Sequence, residues 1–245
     1  MTQLTLHIIV PVYNEKENIQ ELYRTIKQHI HTEHIIHVVF DFDEDNTIPV
    51  VKTLQKLDQR LVLVKNRYGP GVLNAIKTGF HSVSSGPCLV VMGDVSDDLS
   101  IVERMLEQYR QGFKLVCASR YMPGGQQIGG PLLKKTLSRF AGLSLYYVAG
   151  IPTRDITNNF KLYDKSMLED IPIQSKGGFE IAMELTVKAF RKGYPICEVP
   201  TIWRDRTAGV SRFKVWKWAP HYLRWYVYAL MPARLSSPKV SGLAG

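Results

Sequence analysis

A chain of 245 residues, 45% hydrophobic and 22% charged, has the length of one large α/β domain or two small ones and a globular composition, which excludes disorder as its default state. Its formal charge of +9 calls for an anionic partner, with nucleic acid, a membrane surface and phosphorylated substrates all admissible; the positive charge gathers towards the C-terminus, where no acid follows Asp205. Cys88, Cys117 and Cys197 are odd in number, far apart and in or beside apolar runs, so they read as buried free thiols in a reducing compartment rather than as disulfides or a metal site.

The opening segment, MTQLTLHIIVPVYNE, lacks the basic region, long apolar core and cleavage site of a secretory signal, so no export is expected. Apolar runs of strand length then alternate with segments of helical period, the pattern of a mostly parallel sheet with helices on both faces. Strands are expected over 6–12, 35–40, 61–66, 88–93 and 114–120, and helices over 16–30, 47–57, 71–83 and 99–112, with Thr47 as N-cap of the second helix. Residues 121–131 are Gly-rich and too irregular for either period, so they read as a mobile loop leading to a helix over 132–150. Strands over 158–164 and 194–203 flank a helix over 177–193, and an aromatic, basic helical segment over 212–231 follows. The longest uncharged apolar stretch, residues 140–153, is short of the ~20 residues that span a membrane. Absent repeats or a linker, the expected organisation is a catalytic domain over 1–212 and a C-terminal amphipathic helix and tail over 213–245.

Two acidic clusters fall at expected strand ends. Residues 38–46 carry Asp41, Asp43, Glu44 and Asp45 after an apolar run, and residues 90–98 carry Asp94, Asp97 and Asp98. Ligands of open α/β sheets bind at the carboxyl ends of strands. Crowded carboxylates repel one another unless a cation sits among them, and Mg²⁺ or Mn²⁺ takes one or two carboxylates plus substrate phosphate oxygens. Asp94 is the principal metal candidate, with Ser96 or Asp97 as a second ligand; the alternative for Asp97 and Asp98 is that they cap the helix that follows.

PVYNE (11–15), VVFDFDEDNT (38–47), GVLNAIKTGF (71–80), VVMGDVS (90–96), SRYMPGG (119–125), DITNNFKLY (155–163) and EVPTIWRDRTAGVSRF (198–213) occur in order. The chain thereby resembles the family 2 glycosyltransferases of the GT-A fold, and within them the branch of dolichol-phosphate mannose synthase and related polyprenyl-phosphate sugar synthases, over about residues 6 to 215. The resemblance implies a Rossmann-like α/β fold and an inverting transfer of a hexose, mannose or glucose, from a GDP- or UDP-sugar to a polyprenyl phosphate. It implies donor contacts from Pro11, Tyr13, Glu15, Asp41, Asp43 and Lys77, with Asp41 at the base, and matches Asp94 to the last Asp of a D-x-D metal motif. Two departures stand out. Phe40, Asp41, Phe42 and Asp43 replace the usual Asp-Asp-Gly-Ser, and Met92, a soft thioether, replaces the first Asp of the metal motif.

A phosphate monoester is largely dianionic at pH 7, so it needs cations to hold it rather than a base to activate it. By the same resemblance Arg120, Lys134, Ser138 and Arg206 surround the acceptor phosphate or donor diphosphate, with Lys135, Arg139 and Arg212 behind them. Trp216, Trp218, Tyr222, Trp225, Tyr226 and Tyr228 interleave with Lys214, Lys217 and Arg224, a composition that suits either the headgroup zone of a membrane or a core-packing helix with snorkelling bases. The expected location is the cytosolic face of a membrane, peripherally bound, with a small integral-membrane protein as candidate partner and no nucleic acid. A hydroxyl acceptor would instead need Glu180 or Glu184 as base, and a nucleotide- or nucleic-acid-binding module is the non-enzymatic alternative.

Overall fold

The computed structural model describes residues 4–205 and 215–232, except for the side chains at 215–217. The first strand, β1 (Leu6–Pro11), is apolar at nearly every position. Leu6, Ile8 and Val10 enter one core and Ile9 another, so both faces of the sheet need cover. The chain continues through α1 (Ile19–His29), β2 (His34–Phe40), α2 (Thr47–Gln55), β3 (Leu61–Lys65), α3 (Val72–His81) and β4 (Pro87–Val90), then a 3-10 turn at Leu99–Ile101 that runs into α4 (Val102–Arg110), and β5 (Leu115–Ser119). Ile26 of α1, Val51 of α2 and Met105 of α4 cover the first face, while Ile76 and Phe80 of α3 cover the second. Gly79 lets α3 approach the sheet, since a Cβ there would stand 2.2 Å from Cγ2 of Ile9.

Beyond β5 come β6 (Gln126–Ile128), α5 (Leu132–Val148), β7 (Lys161–Asp164), α6 (Lys165–Asp170), α7 (Ile181–Arg191), β8 (Ile196–Pro200), β9 (Ile202–Arg204) and α8 (Val215–Leu230). The seven-stranded sheet has the order β3-β2-β1-β4-β7-β5-β8, and within it β7 runs antiparallel to β4 and β5. β6 and β9 form a separate parallel ribbon. Leu145 of α5, Met183 and Val187 of α7 and Trp225 of α8 make a further core outside the sheet.

Four local expectations change. Residues 121–131 contain β6, too short for any period to show, between Gly124, Gly129 and Gly130, all at positive φ. The single strand expected over 194–203 is two, because the chain turns at Thr201 from the main sheet to the ribbon: its N–H donates to the Ser119 carbonyl while its own carbonyl accepts from Gln126 N. Helix α6 was not expected; its signal is Asp164, whose carboxylate accepts from the backbone of Ser166 and Met167 as an N-cap does. Thr47 is the first residue of α2 rather than its cap, and its hydroxyl accepts from Glu15 N at 2.8 Å. In α8 the core-packing alternative holds for Trp225, 3% exposed, whereas Leu223 and Val227 face outward.

His7 and His37 lie on adjacent strands with Nδ1 and Nε2 3.0 Å apart, and His37 Nδ1 is 3.1 Å from Ser82 Oγ. Burial first, and the charge of His7 second, lower the His37 pKa to about 4. A base whose folded pKa is depressed stabilises the fold fully above its unfolded value of about 6.5 and ever less as pH falls towards 4. His37→Leu should therefore gain on the wild type by about 2 kcal/mol between pH 7.5 and pH 5, at about 1.4 kcal/mol per unit. Urea midpoints of both proteins at the two pH values measure this, and the difference cancels the titration of groups that do not touch His37.

Candidate active site

The strand order sets the carboxyl ends of β2, β1 and β4 side by side, all three strands parallel, and the chain order reverses between β1 and β4. That crevice is where open sheets bind ligands. The loops after β1 and β2 are fastened to each other: Asn14 N donates to Asp45 Oδ2 at 3.1 Å, Lys16 N to Asn46 Oδ1 at 3.2 Å, and Asn46 N to Asn14 Oδ1 at 3.2 Å. Asn14 itself has φ +55. Glu15 accepts from Asn18 Nδ2 at 2.6 Å. Tyr13 is 40% exposed and stands edge-on to Phe42, ring centroids 5.2 Å apart. Asp41 accepts from Asn66 Nδ2 at 2.7 Å and from Gly71 N at 2.9 Å, which ties the end of β2 to the turn before α3. Asp43 pairs with Lys65 on the neighbouring strand, and Lys77, farther along α3, lies over the Tyr68 ring.

Beyond β4 the chain passes hard against β1. A Cβ on Gly93 would meet the Pro11 carbonyl at 3.3 Å and Glu15 Cγ at 3.4 Å, so the glycine lets the half-buried Asp94 emerge beside the Glu15 loop. Val95 follows at φ +58, a conformation that a β-branched residue adopts only under constraint. The turn is held because Asp94 Oδ1 accepts from both the N–H and the hydroxyl of Ser96, at 3.2 and 2.6 Å. Asp97 and Asp98 part ways. Asp98 caps the 3-10 turn by accepting from Ser100 N, whereas Asp97, 9% exposed, turns inward and accepts from Met92 N at 3.1 Å. Burial and the adjacent Asp94 push the Asp97 carboxyl up to about 7.

The third part of the site gathers on β5, α5 and the segment before β7. The guanidinium of Arg120, 9% exposed, grips Asp155, which is fully buried, through Nε to Oδ2 at 2.6 Å and Nη2 to Oδ1 at 2.9 Å, and Arg120 N also donates to Oδ2 at 3.0 Å. Burial opposes both charges, but their mutual attraction outweighs it, holding Arg120 above and Asp155 below their usual ranges. Arg120 Nη2 also donates to Ser138 Oγ at 3.1 Å, and Tyr121 OH donates to the same hydroxyl at 3.0 Å. Asp97 is close enough to Arg120 for each charge to act on the other. Outside this cluster opens a cleft of about 690 Å³, bordered by Lys135, Arg139 and Arg154 and by the apolar Met122, Leu143 and Tyr147.

Of the residues singled out in the sequence, Pro11, Tyr13, Glu15, Asp41 and Asp43 thus line the mouths of β1 and β2, Asp94, Ser96 and Asp97 the turn after β4, and Arg120 and Ser138 the third cluster. Lys134 is half-buried on α5 beside Lys135, whose ammonium donates to the Gln127 carbonyl. Arg206, Arg212, Lys214, Trp216 and Lys217 fall among residues or side chains outside those described. Glu180 and Glu184 are wholly buried; Glu180 accepts from Gly177 N and Gly178 N, and Glu184 from Gln174 N, Ser175 N and the Lys188 ammonium. Sequence reasoning missed Asn66, Asp155 and Thr157, whose hydroxyl accepts from Arg120 Nη2 at 3.3 Å beside Ser138. The signal for Asp155 was its place at the head of the DITNNFKLY motif.

Residues 7–172 match the protein family described as Glycosyl transferase family 2. The polyprenol monophosphomannose synthase of Mycolicibacterium smegmatis is 30% identical over 233 residues, 89% of this chain and 87% of that protein. The dolichol-phosphate mannosyltransferase of Pyrococcus furiosus is 26% identical over 93% of this chain, which spans only 64% of that protein's length. Among solved structures, glucosyl-3-phosphoglycerate synthase from Mycobacterium tuberculosis in complex with Mn²⁺, UDP and phosphoglyceric acid superposes with a TM-score of 0.65 over 94% of this chain and 78% of that one; at 13% identity the likeness is one of fold.

Asp155→Asn leaves the Arg120 guanidinium buried without its counter-charge. The variant should lose about 3–5 kcal/mol of stability in urea unfolding, the range found when one member of a buried ion pair is removed. Gly142→Ala tests the same packing from the helix, because its Cβ would stand 2.0 Å from the Arg154 carbonyl, and it should cost about 1–3 kcal/mol in the same measurement.

Proposed function

The chain belongs to glycosyl transferase family 2 and has the GT-A architecture, and from that premise we propose that it transfers a hexose, mannose or glucose, from a GDP- or UDP-sugar to a polyprenyl phosphate with inversion. One observation carries the choice of acceptor. The cleft beside Arg120 combines the basic Lys135 and Arg139 with apolar walls, whereas Glu180 and Glu184, the carboxylates that a hydroxyl acceptor would enlist as base, are buried and committed to backbone N–H groups. A phosphate needs the first and not the second. The names of the two mannosyltransferase relatives favour the same acceptor.

In the proposed reaction a nonbridging oxygen of the lipid phosphate attacks the anomeric carbon from the face opposite the leaving group. The bond from that carbon to the donor diphosphate breaks, and its electron pair departs with the nucleoside diphosphate. Lys135 and Arg139 draw the acceptor phosphate into the cleft, where Arg154 is already paired with Glu198, and Arg206 serves the same charges. The Arg120–Asp155 pair is neutral as a unit, so Arg120 orients Ser138 and the cleft wall more than it adds net charge.

The turn after β4 fits a divalent ion of the Mg²⁺ or Mn²⁺ kind whose shell the donor completes. Asp94 offers a hard oxygen, Met92 offers none, and among the described residues no three acidic, histidine or cysteine side chains converge on one point. The Asp94–Asp97 repulsion is the local sign of a place that a cation would relieve. When bound, the ion would supply charge stabilisation for the leaving diphosphate.

For the lipid to be reached, the protein must sit at a membrane surface. No helix among the described residues is long and apolar enough to cross a membrane. Support for peripheral docking comes from α5, where Leu133, Leu137, Phe140 and Tyr147 are exposed along one stripe with Lys134 and Arg139 beside them and no acid on the helix. Leu223, Val227 and Leu230 on α8 extend it, since Tyr226 OH donates to Ser144 Oγ and joins the two helices. We place this face on the cytosolic leaflet, alone or with a small integral-membrane partner.

Incubation with labelled GDP-mannose, GDP-glucose or UDP-glucose, polyprenyl phosphate and Mn²⁺ should yield organic-extractable label, and its absence with every donor would defeat the lipid reading. Asp94→Asn should lower kcat about a hundredfold or more. Leu137→Asp with Phe140→Asp should abolish co-sedimentation with anionic phospholipid vesicles while leaving the unfolding free energy within about 0.5 kcal/mol, as exposed substitutions do.

A further inference from the structure

Phe42 is the one large apolar side chain in the acidic run after β2, in a position where the resemblance leads one to expect glycine. It is half-buried and does not join the cores beneath the sheet. Its ring meets the edge of Tyr13, and Tyr13 holds 40% of its surface open to solvent. We propose that Phe42 forms, with Tyr13, an aromatic seat on which the nucleobase of the donor stacks. The inference rests on the nucleotide-sugar reading above and adds to it a residue that supplies base affinity.

Three features support the seat. The first is distance: adjacent strands lie about 4.8 Å apart, so β2 and β4, separated by β1, bring Phe42 and Asp94 to opposite sides of a crevice about 10 Å wide. An extended nucleoside diphosphate spans such a gap with its base at one end and its phosphates at the other. The second is rigidity. The Tyr13 loop and the Phe42 loop are laced together through Asn14, Asp45, Asn46 and Thr47, so the two rings are held before any ligand arrives and little order is lost on binding.

The third is the division of labour with Asp41, the residue just before Phe42. Its two carboxylate oxygens already accept from Asn66 Nδ2 and Gly71 N, which fixes the backbone that presents Phe42. Each oxygen keeps a lone pair for an N–H at the edge of a base. Edge recognition distinguishes bases, whereas a ring face stacks on any of them. Phe42 thus contributes affinity common to guanine and uracil nucleotides, and Asp41 is left to choose between bases.

Equilibrium binding of GDP, UDP and pyrophosphate as a base-less probe, each with Mn²⁺, tests the proposal on the full chain. Phe42→Ala should weaken GDP and UDP about tenfold each and leave pyrophosphate unchanged, while Phe42→Tyr should restore both nucleotides. Unchanged nucleotide affinity in Phe42→Ala, or a loss that pyrophosphate shares, would overturn the inference while leaving the nucleotide-sugar reading in place. If the wild type binds pyrophosphate as well as it binds either nucleotide, the donor reading itself falls and the seat with it.

Discussion

The ion pair between Arg120 and Asp155 is the constraint around which the cleft beside β5 and α5 is built. Its carboxylate is fully buried and its guanidinium nearly so, and neither would tolerate that burial alone. Satisfying it draws three distant stretches to one point: the end of β5, the segment leading into β7, and α5 through Ser138. Gly142 permits the third approach by letting α5 lie directly on the Arg154 carbonyl. The neutral pair then forms the back wall of a cleft whose positive charge comes from Lys135 and Arg139, Arg154 being paired with Glu198.

The strand ends of β1, β2 and β4 obey a different rule, crowding of like charge relieved by hydrogen bonds. Asp45 is buried and spends its oxygens on Asn14 N and Thr47 N, while Asp41 spends its own on Asn66 and Gly71. Around Asp94 and Asp97 the carboxylates crowd one another, and the backbone there is also strained, with Val95 at φ +58. Strain and crowded charge held on a rigid scaffold are features that gather at ligand sites more than in stabilising cores. Asp97 and Arg120 lie close enough for each charge to act on the other, which brings this turn within electrostatic reach of the cleft wall.

Much of this was legible in the sequence. The alternation of apolar runs and helical periods identified the sheet, the strand ends located the acids, and seven short motifs in order pointed to the glycosyltransferases. What was illegible has physical causes. β6 is three residues long and follows two glycines, so it carries no period; its pairing with β9 is a matter of where Thr201 turns. Asp97 and Asp98 are chemically identical neighbours, and their opposite fates depend on which side of the turn faces Met92 N.

The sequence by itself determined the class of fold, the order of the motifs and the positions of the candidate charges, because periodicity and spacing are local properties of a chain. Only the tertiary structure decided which of those charges are spent. Arg120 meets a partner 35 residues away, Asp41 is pinned by a turn 30 residues on, and Glu180 and Glu184 vanish into backbone hydrogen bonds. Such pairings follow from strand order and helix docking, which are global solutions to burying apolar surface, and no local pattern encodes them.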